Sequence, residues 1–116
     1  MNLGQFGEEK AAKYLTSSGY EILSRNFRCK AGEIDIVAKE KARDNLIVFF
    51  EVKTRKNRAF GLPCESVTAL KMQKIKKAIR VYTRANKHII KDLRIDVIEI
   101  LILNKKTYIR HLKNIF

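Results

Sequence analysis

Between Tyr20 and Thr54 the sequence carries three strand patterns in series, joined by connections too short for anything but hairpins. Tyr20–Cys29 has Ile22 and Leu23 as its apolar content, and Lys30-Ala31-Gly32 is a tight-turn signal. Glu33–Lys39 is the second strand and Glu40–Asn45 a polar hairpin loop. Leu46–Thr54, rich in Val, Ile and Phe, is the third. Strands joined in this way form an antiparallel meander, which limits the folds open to the rest of the chain.

The flanks supply helices. Residues 5–18 place Phe6, Ala11, Ala12 and Leu15 on one face, with Gly19 where a helix would stop. Arg55–Pro63 is a basic loop, and Glu65–Ala85 a long helix with a stripe of Met72, Ile75, Ile79 and Tyr82. Leu93–Leu103 and Thr107–Leu112 complete the pattern as strands. A strand–helix–strand crossover implies a parallel pairing of right-handed sense. The expected fold is α/β: a mixed five-stranded sheet flanked by helices, in the order α-β-β-β-α-β-β. With 116 residues and neither repeat nor linker, it is expected as one domain, 1–116.

Lys and Arg number 25 against 12 Asp and Glu, a net charge of +13. A field of that sign attracts polyanions, nucleic acid or an anionic membrane, and on charge alone a basic binding protein without chemistry ranks ahead of a catalyst. Met1–Lys10 lacks the basic-then-apolar pattern of a secretion signal. No run approaches the roughly 18 apolar residues of a membrane span. Cys29 and Cys64 lie outside any CxxC arrangement and read as reduced thiols of a cytoplasmic protein. With only His88 and His111 beside them, there is no zinc-site pattern.

The chemistry is signalled by charges inside apolar strands. Alternation puts Ile34, Ile36 and Ala38 on one face of the second strand and Glu33, Asp35 and Val37 on the other. In the third strand Leu46, Val48, Phe50 and Val52 share a face, and Ile47, Phe49, Glu51 and Lys53 share the opposite one. If the strands pair, Asp35 comes within roughly 5 Å of a neighbour such as Glu51. Two carboxylates that close need a compensating charge, either Lys53 or a bound cation. Hard oxygen ligands favour Mg2+ or Mn2+. Such a metal lowers the pKa of a bound water and polarises a phosphate, and Lys53 could orient that water or stabilise transition-state charge. A solvated strand face with one salt bridge explains the same Glu-x-Lys. Glu8 falls on the inward stripe of the first helix, within reach of this cluster, while Glu9 lies on the polar side near Lys13. An acid favoured by the helix dipole explains either one.

Asp35, fifteen intervening residues and Glu51-Val52-Lys53 resemble the PD-(D/E)xK nuclease signature. A fuller pattern runs through Gly7-Glu8, Ala11-Ala12-x-Tyr14-Leu15, Gly19-Tyr20 and Arg25-Asn26-Phe27-Arg28. It continues with Gly32-Glu33-Ile34-Asp35-Ile36-Val37-Ala38 and Phe50-Glu51-Val52-Lys53-Thr54-Arg55, and ends at Arg94-x-Asp96. This resembles the YraN-like family of small bacterial proteins, similar in fold to archaeal Holliday junction resolvases and restriction endonucleases. The resemblance implies a restriction-endonuclease-like core in which Asp35 and Glu51 hold the metal, Lys53 assists the water and Glu8 is an accessory acid. Ile34 stands where the signature has proline, a departure the superfamily tolerates.

A nucleic-acid partner would meet Arg28 and Lys30 at the first turn, Arg55, Lys56 and Arg58 after the third strand, and Lys74, Lys77 and Arg84 on the long helix. Phe60 could stack on a base, or simply pack within its loop. The expected function is a metal-dependent endonuclease acting on DNA; a preference for branched or structured DNA rests on the resemblance alone. DNA ranks ahead of RNA, no membrane is implied, and a homodimer is left open. The rival is a nucleic-acid-binding module that kept the fold and lost turnover. An RNA-processing nuclease ranks last, because neither His88 nor His111 falls near the Asp35 strand.

Overall fold

The computed structural model describes residues 1–43, 46–56, 68–86, 90 and 92–115. Among them the elements follow the expected order: α1 (Leu3–Ser17), β1 (Tyr20–Cys29), β2 (Gly32–Glu40), β3 (Leu46–Arg55), α2 (Ala69–Asn86), β4 (Asp92–Leu103) and β5 (Lys106–Leu112). α1 starts ahead of its predicted position because Asn2 and Gln5 form a capping box. Asn2 Oδ1 accepts the Gln5 N–H at 2.8 Å, and Gln5 Oε1 accepts the Asn2 N–H at 3.0 Å. Gly19, at φ 93°, turns the chain out of the helix. No helix among the described residues is long and apolar enough to cross a membrane.

The strands lie side by side in chain order. β1–β2, β2–β3 and β4–β5 are antiparallel; β3–β4, joined across α2, is parallel. The meander and the crossover are both as the patterns imply. Each face of the sheet has its own core. Ala11, Ala12 and Leu15 of α1 pack on Ile36, Ala38, Val48, Phe50, Ile98 and Ile100. Ile75, Ala78, Ile79 and Tyr82 of α2 pack on Ile34, Val37, Phe49 and Ile95. Ala78 therefore belongs to the buried stripe of α2, while the predicted Met72 is only half-buried.

β3 alternates as expected, with Val48 and Phe50 beneath α1 and Phe49 beneath α2. β2 does not. Strict alternation groups Ile34 with Ile36 and Ala38, but Ile34 packs under α2 with Val37. The phase changes at Asp35, where the register between β2 and β3 ends.

α1 lies so close to β3 that a Cβ on Gly7 would fall inside the Thr54 side chain. Gly7→Ala is expected to push the helix off the sheet and cost roughly 1–3 kcal/mol, the scale of overpacking. Adding Thr54→Ala removes Oγ1 and Cγ2 but leaves a Cβ 2.9 Å from the new carbon, so it should restore only part of the loss, as thermal melts of the two variants would report.

A polar network lies inside the α1 face. Asp96 is fully buried and accepts bonds from Arg94 Nε (2.8 Å) and the Asn114 N–H (2.8 Å), with His111 Nε2 at 2.7 Å. Arg94 also donates to the Tyr20 hydroxyl at 2.8 Å, and the Tyr14 hydroxyl meets His111 Nδ1 at 2.8 Å. Burial alone would push the Asp96 carboxyl up, but these partners outweigh it and hold it below the usual carboxylate range. The Arg94-x-Asp96 pattern thus ties β4 to β1, α1 and β5. His111 stands on β5, separated from the Asp35 strand by β3 and β4.

Candidate active site

The site forms where β2 and β3 part. Their register runs from Lys39–Ile47 to Ile36–Phe50. Asp35 comes next, and its Oδ2 accepts the Val52 N–H at 2.7 Å. A side chain thereby meets a strand amide and is locked in place. Burial pushes the Asp35 carboxyl up to about 7, helped by the negative charge of Glu51 and opposed by the Val52 N–H. Glu8 and Glu33 push the same way as Glu51.

Glu51 follows Phe50 on β3 and is 8% exposed. Lys53 Nζ lies 3.5 Å and Lys71 Nζ 2.7 Å from its Oε1. Burial lowers the affinity of Lys53 for its proton, and contact with Lys71 pushes the same way against the pull of Glu51. Burial also works against the Lys71 ammonium, but its contacts with Glu51 and Lys53 prevail and hold it above the usual lysine value.

Asp35 and Glu51 open into different cavities. One, of about 270 Å³ on the α1 side, is lined by Asp35, Glu8, Glu33, Arg28 and Thr54 among others. The other, of about 130 Å³, is lined by Glu51, Lys71, Lys74, Glu33, Gly32 and Ile75. Glu33 borders both cavities, Asp35 and Glu8 only the first, and Glu51 shares the second with Lys71 and Lys74. Glu8 reaches the first cavity, as its inward position on the stripe implies, while Glu9 pairs with Arg25 at 2.8 Å.

Lys71 is the member that sequence reasoning missed. Its position carries a signal: Lys71, Ile75, Ala78 and Tyr82 follow one helical stripe, so Lys71 lies inward. Among many lysines on α2 it reads as solvated charge.

The residues named for nucleic acid separate into three groups. Lys30, Lys56, Lys74, Lys77 and Arg84 are exposed, as is Arg28, whose Nε lies 3.3 Å from Glu33. Arg55 turns along the sheet to buried Glu99, with Nε 3.0 Å from Oε2 and a side chain only 10% exposed. Arg58 and Phe60 lie outside the described residues, as do Cys64 and His88.

Among the described residues no three His, Cys, Asp or Glu side chains converge into a ready-made metal cage. The donor set still suits Mg2+ or Mn2+. Magnesium keeps several waters and takes only one or two carboxylates plus substrate phosphates. Asp35 and Glu51 provide two hard carboxylates, and burial first, then the Glu51 charge, disfavour the ionised form of Asp35, which a bound cation would favour.

Fold and site define a small mixed α/β protein with a buried Glu51, a half-buried Asp35 and two lysines at the parting of two strands. The chain belongs to the uncharacterised protein family UPF0102, whose family model matches residues 7–100. This is the YraN-like family that the sequence resembles. It is 47% identical over 103 residues to a UPF0102 protein of Clostridium novyi, covering 89% of this chain and 82% of that one. A Clostridium botulinum (strain Loch Maree) relative is 47% identical over 118 residues, covering 99% and 94%. One from Syntrophomonas wolfei is 43% identical over 114 residues, covering 98% and 96%.

Proposed function

We propose that the chain is a metal-dependent endonuclease that hydrolyses phosphodiester bonds in DNA, with branched or otherwise structured DNA as the preferred class. The observation that carries this reading is the pairing of half-buried Asp35 with buried Glu51, whose repulsion adds to the effect of burial in raising the Asp35 pKa, with Lys53 beside it. Acids held close at a cost to the fold are better explained by a cation they bind than by packing.

Asp35 and Glu51 would hold the Mg2+ or Mn2+, with Glu8 on the rim of the same cavity as Asp35. When bound, the metal supplies a more acidic water and neutralises charge on the phosphate. The rest is work for the protein's own residues. The Val52 N–H fixes the Asp35 carboxylate. Lys53, fixed on the strand that carries Glu51, can hold the attacking water or donate to the phosphoryl oxygens as charge builds on them.

Lys74, Lys77 and Arg84 occupy one exposed stripe of α2, and Lys74 reaches the cavity beside Glu51. With Arg28, Lys30 and Lys56 they form the proposed phosphate-binding surface, from which Arg55 is excluded by Glu99. Neutralising Lys74, Lys77 and Arg84 together should lower the slope of log affinity against log salt by about 2–3, close to 0.9 for each duplex phosphate the protein ceases to neutralise. An unchanged slope would move the nucleic acid away from α2.

The functional test is cleavage of single-stranded, duplex, flap and four-way DNA by the purified protein in Mg2+, Mn2+ or chelator. Metal-dependent cuts in at least one substrate are expected. Tight binding with no cleavage in either metal would favour a nucleic-acid-binding module instead.

A further inference from the structure

Glu51 presents one contested atom. Both lysines that reach it, Lys53 at 3.5 Å and Lys71 at 2.7 Å, approach the same oxygen, Oε1. They are held differently. Lys53 stands on the strand that carries Glu51, two residues away, with 26% of its side chain exposed. Lys71 comes from α2 on a four-carbon stem, with 34% of its side chain exposed, and borders the cavity of about 130 Å³ beside Glu51.

The helix itself does not favour this lysine. Lys71 lies in the first turn of α2, where its N–H bonds to Thr68 Oγ1 at 3.2 Å. The positive end of the helix dipole and the neighbouring Lys53 ammonium both repel a cation there. The Glu51 carboxylate therefore provides the attraction that holds Lys71 in place, at a charge-assisted distance. A divalent cation held by Asp35 and Glu51 would compete with the lysines for the Glu51 carboxylate and would repel both ammonium groups. Both lysines have the same four-carbon stem, but Lys71 borders the open cavity into which it can withdraw and Lys53 does not line it.

We infer that Lys71 is the resident counter-ion of the site, holding Glu51 while no metal is bound and giving way when a divalent cation takes its place. This inference rests on the metal-site reading above and adds an exchange step to it. The lysine keeps the buried carboxylate compensated in the resting protein, and its release is a cost that metal binding must meet. Lys71 is thus a positioning residue that acts through Glu51.

Two measurements test the exchange. In manganese calorimetry, Lys71→Met keeps the apolar stem and removes the competing charge. It should tighten Mn2+ binding about tenfold, the scale of one charge–charge interaction in a half-buried setting. Lys71→Arg, which keeps the charge, should stay near wild type. In the second measurement, wild-type protein is methylated reductively with and without Mn2+, and Lys71 and Lys74 are followed by mass spectrometry. Bound metal should speed labelling of Lys71 several-fold and leave Lys74 unchanged. If wild type binds Mn2+ but Lys71→Met binds it no more tightly, and Lys71 labelling does not rise, the exchange is overturned while the metal site stands. If neither wild type nor Lys71→Met binds Mn2+, the metal site fails and the exchange fails with it.

Discussion

Lys53→Ala is expected to bind nucleic acid almost as tightly as wild type and to cleave it slower by roughly a hundredfold or more, the usual scale for losing a group that stabilises transition-state charge. Lys53 is one of 25 basic residues, so its loss changes the overall field little. Its ammonium has only donors and cannot ligate a metal, so Mn2+ binding should persist or tighten. Glu51→Gln should also abolish cleavage, but by weakening the metal site, and its Mn2+ affinity should fall. The two variants lie two residues apart on one strand and should fail for different reasons. Single-turnover cleavage beside a binding assay separates them. A Lys53→Ala protein that cleaves as fast as wild type would mean that the activity arises elsewhere.

Asp35→Asn should stabilise the metal-free protein at pH 8. The folded chain holds the Asp35 proton up to about pH 7, whereas the carboxyl's ordinary value is 3.8. Between those values the folded state binds more protons than the unfolded state. Stability therefore falls as pH rises through this window and stays lower above it. Asn carries no charge to bury, and its side-chain oxygen can still accept the Val52 N–H. In chelator at pH 8 the melting temperature should rise by roughly 4–8 °C for each kcal/mol of burial and repulsion cost relieved. Near pH 4 the two proteins should melt almost together. Excess Mn2+ should narrow the gap at pH 8, because it binds and stabilises folded wild type. A variant that melts lower than wild type at pH 8 would show that the Asp35 charge is already compensated in the metal-free fold.

The sheet was legible because β2, β3 and β4 are short apolar runs bounded by polar turns, and a three-strand meander followed by a helix leaves few topologies. Asp35, Glu51 and Lys53 stood out because charge is rare in such runs. The orientation of Asp35 was not legible. Alternation assumes an unbroken strand, and β2 changes phase at the residue whose carboxylate takes the Val52 amide. Arg55 misled for a related reason. A basic residue after a strand reads as a surface charge, and only the parallel pairing of β3 with β4 brings it to Glu99. Lys71 was hidden by its neighbours: one inward lysine on a lysine-rich helix is distinguished only by the carboxylate opposite it. The Asp96 network joins residues from α1, β1, β4 and β5, and no local pattern brings such distant positions together.

The most direct measurement is a calorimetric titration of Mn2+ into wild type and Asp35→Ala at pH 8, with folding of both checked by circular dichroism. Wild type should bind the metal, and Asp35→Ala should lose at least roughly tenfold in affinity, the low end of what disturbing a metal site costs. Equal affinity in the two folded proteins would contradict a divalent-cation site at Asp35 and Glu51.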